Sequence, residues 1–225
     1  MTTSFLLSNF PDPAALSHDE LLAWLGEKVR LMNSMVYSPD VLATFGSVEL
    51  AELAPHALGA EASPEWRKFF LAALLADWAC YETPVDRVDF ARLKYIMTSA
   101  HPYFRVWCVK VSNEILPVGY SAWYPIAPFV FNALQKDPSQ INDRGIFMPL
   151  RFVKSEEIKY AYAFNISIVK PLRNTVYSRR VIRAYQQDAK RFPSASIATI
   201  TVTGDGTRMA TIGGGAVCWH RHGSG

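Results

Sequence analysis

The segment that most constrains this chain is a strand, a breaker and a helix near its C-terminal end. Ala163-Phe164-Asn165-Ile166-Ser167-Ile168-Val169 is an apolar run rich in aromatic and β-branched residues, which predicts a largely buried strand. Pro171, within Lys170-Pro171-Leu172-Arg173-Asn174-Thr175, ends it, because proline has no N–H to offer a ladder. Tyr177, Val181, Tyr185 and Ala189 then recur at four-residue spacing, which predicts an amphipathic helix from Thr175 to Phe192. Helix N-terminal N–H groups lack intrahelical partners and carry partial positive charge. A strand that restarts as a helix with Arg173 at its entrance is therefore a ready anion site.

The rest of the chain divides into two styles. Up to about residue 98 it reads helical. Ser17-His18-Asp19-Glu20 is a capping box ahead of Leu21, Leu25, Val29 and Met32, and Ser63-Pro64-Glu65 opens a second helix whose body, Trp66 to Cys80, is apolar on most faces. A third helix is expected from Asp86 to Met97. After His101-Pro102 the pattern turns to strands: Tyr103–Val111 and Ile115–Tyr124 form a hairpin across Ser112-Asn113-Glu114. Pro125–Ser139 reads as a loop or short helix, Ile146–Phe152 as a candidate strand, and Ile197–Thr203, Met209–Ile212 and Ala216–Trp219 as further short strands. The expectation is an α+β fold, with an N-terminal helical region (1–98), a core (99–222) built on a mixed or antiparallel sheet with crossing helices, and a flexible tail (223–225).

Composition narrows the class. Half the 225 residues are hydrophobic and 13% are aromatic, which excludes a disordered chain, and no apolar run approaches the ~20 residues that span a bilayer. Met1-Thr2-Thr3-Ser4-Phe5 has neither a basic n-region nor a cleavage site, so a cytoplasmic protein is expected. Cys80, Cys108 and Cys218 are odd in number and widely spaced, which argues against a disulfide framework or a zinc site. His220-Arg221-His222 has no third ligand nearby, so no metal is expected. Residues 1–100 carry 7 Lys and Arg against 13 Asp and Glu, whereas residues 151–225 carry 12 against 4. A basic end attracts acidic or phosphate-bearing partners. A nucleic-acid binder would show steeply salt-dependent affinity; no nucleic-acid partner is expected, and a homodimer is left open.

The order hairpin, strand, proline break, arginine, helix, strand resembles the Gcn5-related N-acetyltransferase fold. Its phosphate-binding loop has the form R/Q-x-x-G-x-G/A; here it is Arg173-Asn174-Thr175-Val176-Tyr177-Ser178, with Val176 and Ser178 where the glycines stand. Pro117-Val118-Gly119-Tyr120-Ser121-Ala122-Trp123, then Lys190-Arg191-Phe192-Pro193, then Ile212-Gly213-Gly214-Gly215, resemble in order the motifs of the toxin-activating lysine acyltransferases within that superfamily, over roughly residues 78–217. The resemblance implies transfer of an acyl chain, expected to be fatty, from acyl carrier protein or coenzyme A to the amine of a lysine or ornithine in a protein or ribosomal peptide. It implies that Arg173, Val176, Tyr177, Ser178, Tyr120 and Trp123 hold the phosphopantetheine donor. That family uses a histidine and an aspartate. Alignment on Thr83-Pro84-Val85 places Cys80 at the histidine, and the strand places Ser167 or Asn165 at the aspartate; His101 is the alternative histidine.

Each of these residues also has a structural reading. Amine acylation needs a base, a reachable thioester and a donor for the carbonyl oxygen. His101 has a suitable unperturbed pKa, but it also suits a strand end beside Pro102. Cys80 could relay an acyl group or simply be a small buried hydrophobe. Asn165 and Ser167, two apart, share one strand face and need partners once buried. Arg179, Arg180 and Arg183 form either a carrier-protein dock or the solvated side of a helix. Trp123, Tyr124, Phe129 and Phe131 are candidates to line an acyl pocket. An acetyl-CoA-dependent N-acetyltransferase and a non-catalytic binding module of the same fold are the competing readings.

Overall fold

The ladder of strands runs in chain order across one sheet, and only its last two junctions are parallel. The computed structural model describes residues 9–50, 63–99, 103–136, 158–190, 196–201 and 216–220. Helix α1 (His18–Ser34) starts at a full capping box: the Ser17 hydroxyl accepts from the Glu20 N–H at 3.3 Å, and the Glu20 carboxylate accepts from the Ser17 N–H at 2.8 Å. Helix α2 (Pro39–Ala43) leads into strand β1 (Gly46–Glu49). Helix α3 (Pro64–Cys80) is capped by Ser63 and begins with proline, as its sequence dictates. Helix α4 (Phe90–Ser99) and the hairpin β2 (Phe104–Val111) and β3 (Glu114–Pro125) follow, with Ser112 at φ 54° in the turn. Then come α5 (Pro128–Lys136), β4 (Tyr160–Ile168), α6 (Val176–Ala189), β5 (Ser196–Thr201) and β6 (Ala216–His220).

Strand β1 and the end of the helix after Thr175 differ from the sequence-based expectation. Strand β1 lies in the stretch read as helical and breaker-rich. With four residues and Val48 alone fully buried among them, it has too few alternations to register as a strand. Of the two readings of 125–139, the short helix is found: it is α5, started by Pro128. Of the two sheet types expected, the mixed one is found: β1 to β4 are antiparallel, and α6 carries the chain back over the sheet, so β5 enters parallel to β4, and β6 is parallel to β5. Helix α6 ends at Ala189 rather than Phe192. The expected strands at 146–152 and 209–212 and residue His101 lie outside the described residues.

Helix α3, almost wholly buried, covers one face of β3 and β4 with α1 and α4 beside it. Helix α6 covers the other face, where Trp123 and Tyr185 pack with ring centroids 4.3 Å apart. Two irregularities shape β4. Gly119 on β3 faces it so closely that an added Cβ would lie 2.3 Å from the Ser167 carbonyl oxygen, which no side-chain-bearing residue tolerates without a shift. Between the pairs Ala122–Asn165 and Trp123–Ala163, β4 carries one extra residue, Phe164, so β4 bulges there.

Candidate functional site

The bulge coincides with a parting of strands. Strand β4 pairs with β5 only over Tyr160–Tyr162. At the next step the Thr199 hydroxyl, not a backbone N–H, donates to the Ala163 carbonyl at 2.9 Å. Beyond it, among the described residues, Phe164–Ile168 has no β5 partner, while Asn165–Ile168 stays paired to β3 on the other edge. Phe164, Ile166 and Ser167 there are only half-buried.

Beside this open edge lies a polar cluster on the α3 face. The Tyr120 hydroxyl donates to Asp77 Oδ1 at 2.8 Å, and the Val88 N–H donates to Asp77 Oδ2 at 2.9 Å. The Tyr81 hydroxyl donates to Asn165 Oδ1 at 2.9 Å, and Asn165 Nδ2 donates to Ser167 Oγ at 3.4 Å. The Asn165 amide faces the Tyr120 oxygen, and the Ser167 hydroxyl faces the Cys80 thiol. Cys80, Tyr120, Asn165 and Ser167, singled out from sequence on separate grounds, thus meet in one place. Asn165 and Ser167 share a face as strand periodicity requires.

Electrostatics follows from burial. Asp77 is 1% exposed, and burial pushes its carboxyl up to about 6, with the Val88 N–H, the Tyr120 hydroxyl and the Arg87 guanidinium pulling the other way. Burial pushes the Cys80 thiol up to about 12, so it is a thiol and not a thiolate at neutral pH. Burial likewise raises Tyr81 and Tyr120, and the nearby Asp77 charge adds to it. Asp77 was not among the residues picked from sequence. The available signal was its position as the sole charge in the apolar run Phe69–Cys80, where a charged residue must find partners or shift its pKa.

Two arginines close the C-terminal end of α3. Arg173 donates through Nε to the Ile168 carbonyl at 3.2 Å and through Nη2 to the Cys80 carbonyl at 2.9 Å. Arg87 donates to the Tyr81 carbonyl at 2.9 Å and stacks over Trp78. Cations satisfy the orphan carbonyls and the negative pole of a helix end in this way. Arg173 therefore stands at the junction of α3 and β4, with part of its guanidinium committed to carbonyls. At the start of α6 the Thr175 hydroxyl accepts from the Tyr177 N–H at 3.2 Å, leaving the Val176 and Ser178 N–H groups without intrahelical partners. Asn174, at φ 62°, turns the chain into this cap.

Other expectations separate. Trp123 packs with Tyr185 on the α6 face, whereas Tyr124 packs with Tyr162 and Phe164 on the α3 face, and Phe129 is 67% exposed. Adjacent strand residues point to opposite faces, so Trp123, Tyr124, Phe129 and Phe131 do not line one pocket, and that expectation is corrected. Arg180 packs over Phe45 and donates to its carbonyl at 3.3 Å, while Arg179 and Arg183 stand exposed one turn apart on α6. A separate groove of about 500 Å³, lined by Trp24, Lys28, Leu75 and Glu114 among others, shares no residue with the cluster. Among the described residues no group of three or more His, Cys, Asp or Glu is placed to hold a metal, and no helix is long and apolar enough to cross a membrane.

Comparison with protein-family models, with curated proteins and with solved structures finds no match for this chain.

Proposed function

We propose that the chain is an N-acyltransferase that moves an acyl group from a phosphopantetheine thioester to the amine of a lysine or ornithine in a protein or peptide. The observation that carries this reading is the edge of β4 at Phe164–Ile168, which has no strand partner on the β5 side among the described residues, lies beside a bulge and is flanked by the Asp77–Tyr120–Asn165–Tyr81 cluster. A pantetheine arm has two amides and can add to such an edge as a strand does. The Val176 and Ser178 N–H groups and the Arg173 charge offer electropositive contacts for the donor's phosphates. Exposed Arg179 and Arg183 suit an acidic carrier protein.

The chemistry balances without a further reactant. The neutral amine nitrogen forms a bond to the thioester carbonyl carbon, the C–S bond breaks, the sulfur leaves, and the amine proton ends on the thiol. Polar groups around Asn165 and Tyr81 orient the reactants, and a buried carboxylate titrating near neutrality is the kind of group that manages a proton in such a step. Cys80 fits a packing role beside Ser167 better than a covalent relay, because its thiol is held protonated.

The test is incubation of the protein with acetyl-CoA, a long-chain acyl-CoA or a long-chain acyl carrier protein, each with lysine- and ornithine-containing peptides, read by intact mass. The reading expects an acyl mass increment on the peptide, lost in Asn165→Ala. An increment with acetyl-CoA alone would favour the simple N-acetyltransferase. Donor binding with no increment on any acceptor would favour the non-catalytic module, a reading that the committed guanidinium of Arg173 and the protonated Cys80 also suit. Neither binding nor transfer would end all three.

A further inference from the structure

We infer that Asp77 is a positioning residue which, through Tyr120, sets the direction of the hydrogen bonds made by Asn165 and Tyr81 at the open edge of β4. The inference rests on the acyltransferase reading for its consequence but not for its geometry. An ionised carboxylate only accepts. With Asp77 ionised, the Tyr120 proton is committed to Oδ1 and the Val88 N–H to Oδ2. The Tyr120 oxygen can then only accept, so Asn165 turns its NH₂ toward it and its Oδ1 toward Tyr81, whose hydroxyl donates there. The Tyr81 oxygen is left with lone pairs, and a lone pair is what receives the N–H of an incoming amine.

Protonation of Asp77 reverses the chain. A carboxylic acid whose Oδ2 still accepts from Val88 can donate from Oδ1 to the Tyr120 oxygen. The Tyr120 proton is then released toward Asn165, whose amide satisfies it by presenting Oδ1. Its NH₂ is turned toward the Tyr81 oxygen, and the Tyr81 proton is displaced away from Asn165. The edge thus offers an acceptor for an amine in one state and a donor in the other. The charged and titratable groups facing Asp77 do not override this. Cys80 on α3, Tyr81 at its cap and Tyr120 on β3 stay protonated, their pKa values all raised by burial, while the Arg87 guanidinium in the following turn pulls the Asp77 carboxyl down without cancelling the effect of burial. Asn165 and Ser167 on β4 do not ionise, and Arg173 is held on carbonyls. Asp77 is the one group of the set whose charge changes near neutral pH.

The experiment follows the side-chain amide of Asn165 by ¹H–¹⁵N NMR between pH 5 and 8, assigned by its absence in Asn165→Ala. The expected result is a titration with a midpoint at about 6, lost in Asp77→Asn and lost in Tyr120→Phe, which keeps the carboxylate but cuts the relay. If Asp77→Asn fails to fold, the wild-type and Tyr120→Phe titrations decide. A flat Asn165 amide in the wild type, or an unchanged titration in Tyr120→Phe, overturns the inference. In the acylation assay, the wild-type rate is expected to fall about tenfold more between pH 7 and pH 5 than that of Asp77→Asn, the change in the ionised fraction of a group titrating near 6. An Asn165 titration that follows Asp77 in a protein that acylates nothing supports the positioning role and rejects the acyltransferase.

Discussion

On the α6 face of the sheet Arg105 sits between two carboxylates, whereas on the α3 face Asp77 is buried among hydroxyls and an N–H, with no cation in ion-pair contact among the described residues. Arg105 grips Asp188 with Nε and Nη2 at 3.0 and 2.8 Å, and its Nη2 also meets Glu49. That network ties β1, β2 and α6 together, and both carboxylates share the Arg105 cation. Asp77 has only Tyr120, the Val88 N–H and the field of Arg87. A buried pair of opposite charges mainly fixes geometry, while a buried charge without one stays close to losing its ionisation. The comparison separates a structural polar cluster from a candidate functional one without reference to any relative.

The largest effect that would test this contrast is at Arg105. Arg105→Met should destabilise the fold by about 3–5 kcal/mol, because it removes the cation that Asp188 and Glu49 share in a poorly solvated site; a loss below about 1 kcal/mol in urea unfolding would mean that Arg105 does not hold the two carboxylates together. Asp77 gives the opposite sign. Its folded-state pKa of about 6 lies above its ordinary 3.8, so between those values the folded state binds the proton more tightly. Stability from this group is therefore lost as pH rises through that window, on the order of 3 kcal/mol in all. Unfolding at pH 4, 5.5 and 7 should show wild type losing ground against Asp77→Asn as pH rises, and a constant difference would contradict it. Tyr120→Phe removes one donor from the buried carboxylate and should cost roughly 2 kcal/mol at pH 7 and less at pH 4; equal losses at both pH values would show that the hydroxyl does not serve the ionised form. The smallest stability effect is expected at the exposed arginines. Arg179→Glu with Arg183→Glu should leave stability within about 0.5 kcal/mol, while weakening capture of an acidic carrier protein in a salt-dependent way; unchanged carrier affinity would remove α6 as the dock.

Much of the site was legible in sequence because its cues are local. Polar Asn165 and Ser167 interrupt an apolar strand at period two, Pro171 stops that strand, and Thr175 caps the helix that follows. Cys80 and Tyr120 were also within reach, but not their meeting with Asn165, since that depends on how α3 crosses β3 and β4. Asp77 stands out in sequence as the sole charge in the apolar run Phe69–Cys80, but its partners Tyr120 and the Val88 N–H are set by packing and by the following turn. The acyl-pocket expectation failed on a local rule, the alternation of side chains along β3, which puts Trp123 and Tyr124 on opposite faces.

The sequence by itself determined the capped helices, the hairpin, and the strand–proline–helix unit, since caps, turn residues and hydrophobic period act over a few residues. Tertiary structure alone decided that β1 joins the sheet, that β5 runs parallel to β4 and parts from it after Tyr162, and that the Asp77 carboxyl is shut away from water beside Tyr120. Those outcomes depend on contacts between residues tens of positions apart, where register, bulge and burial are set by packing and carry no local signature.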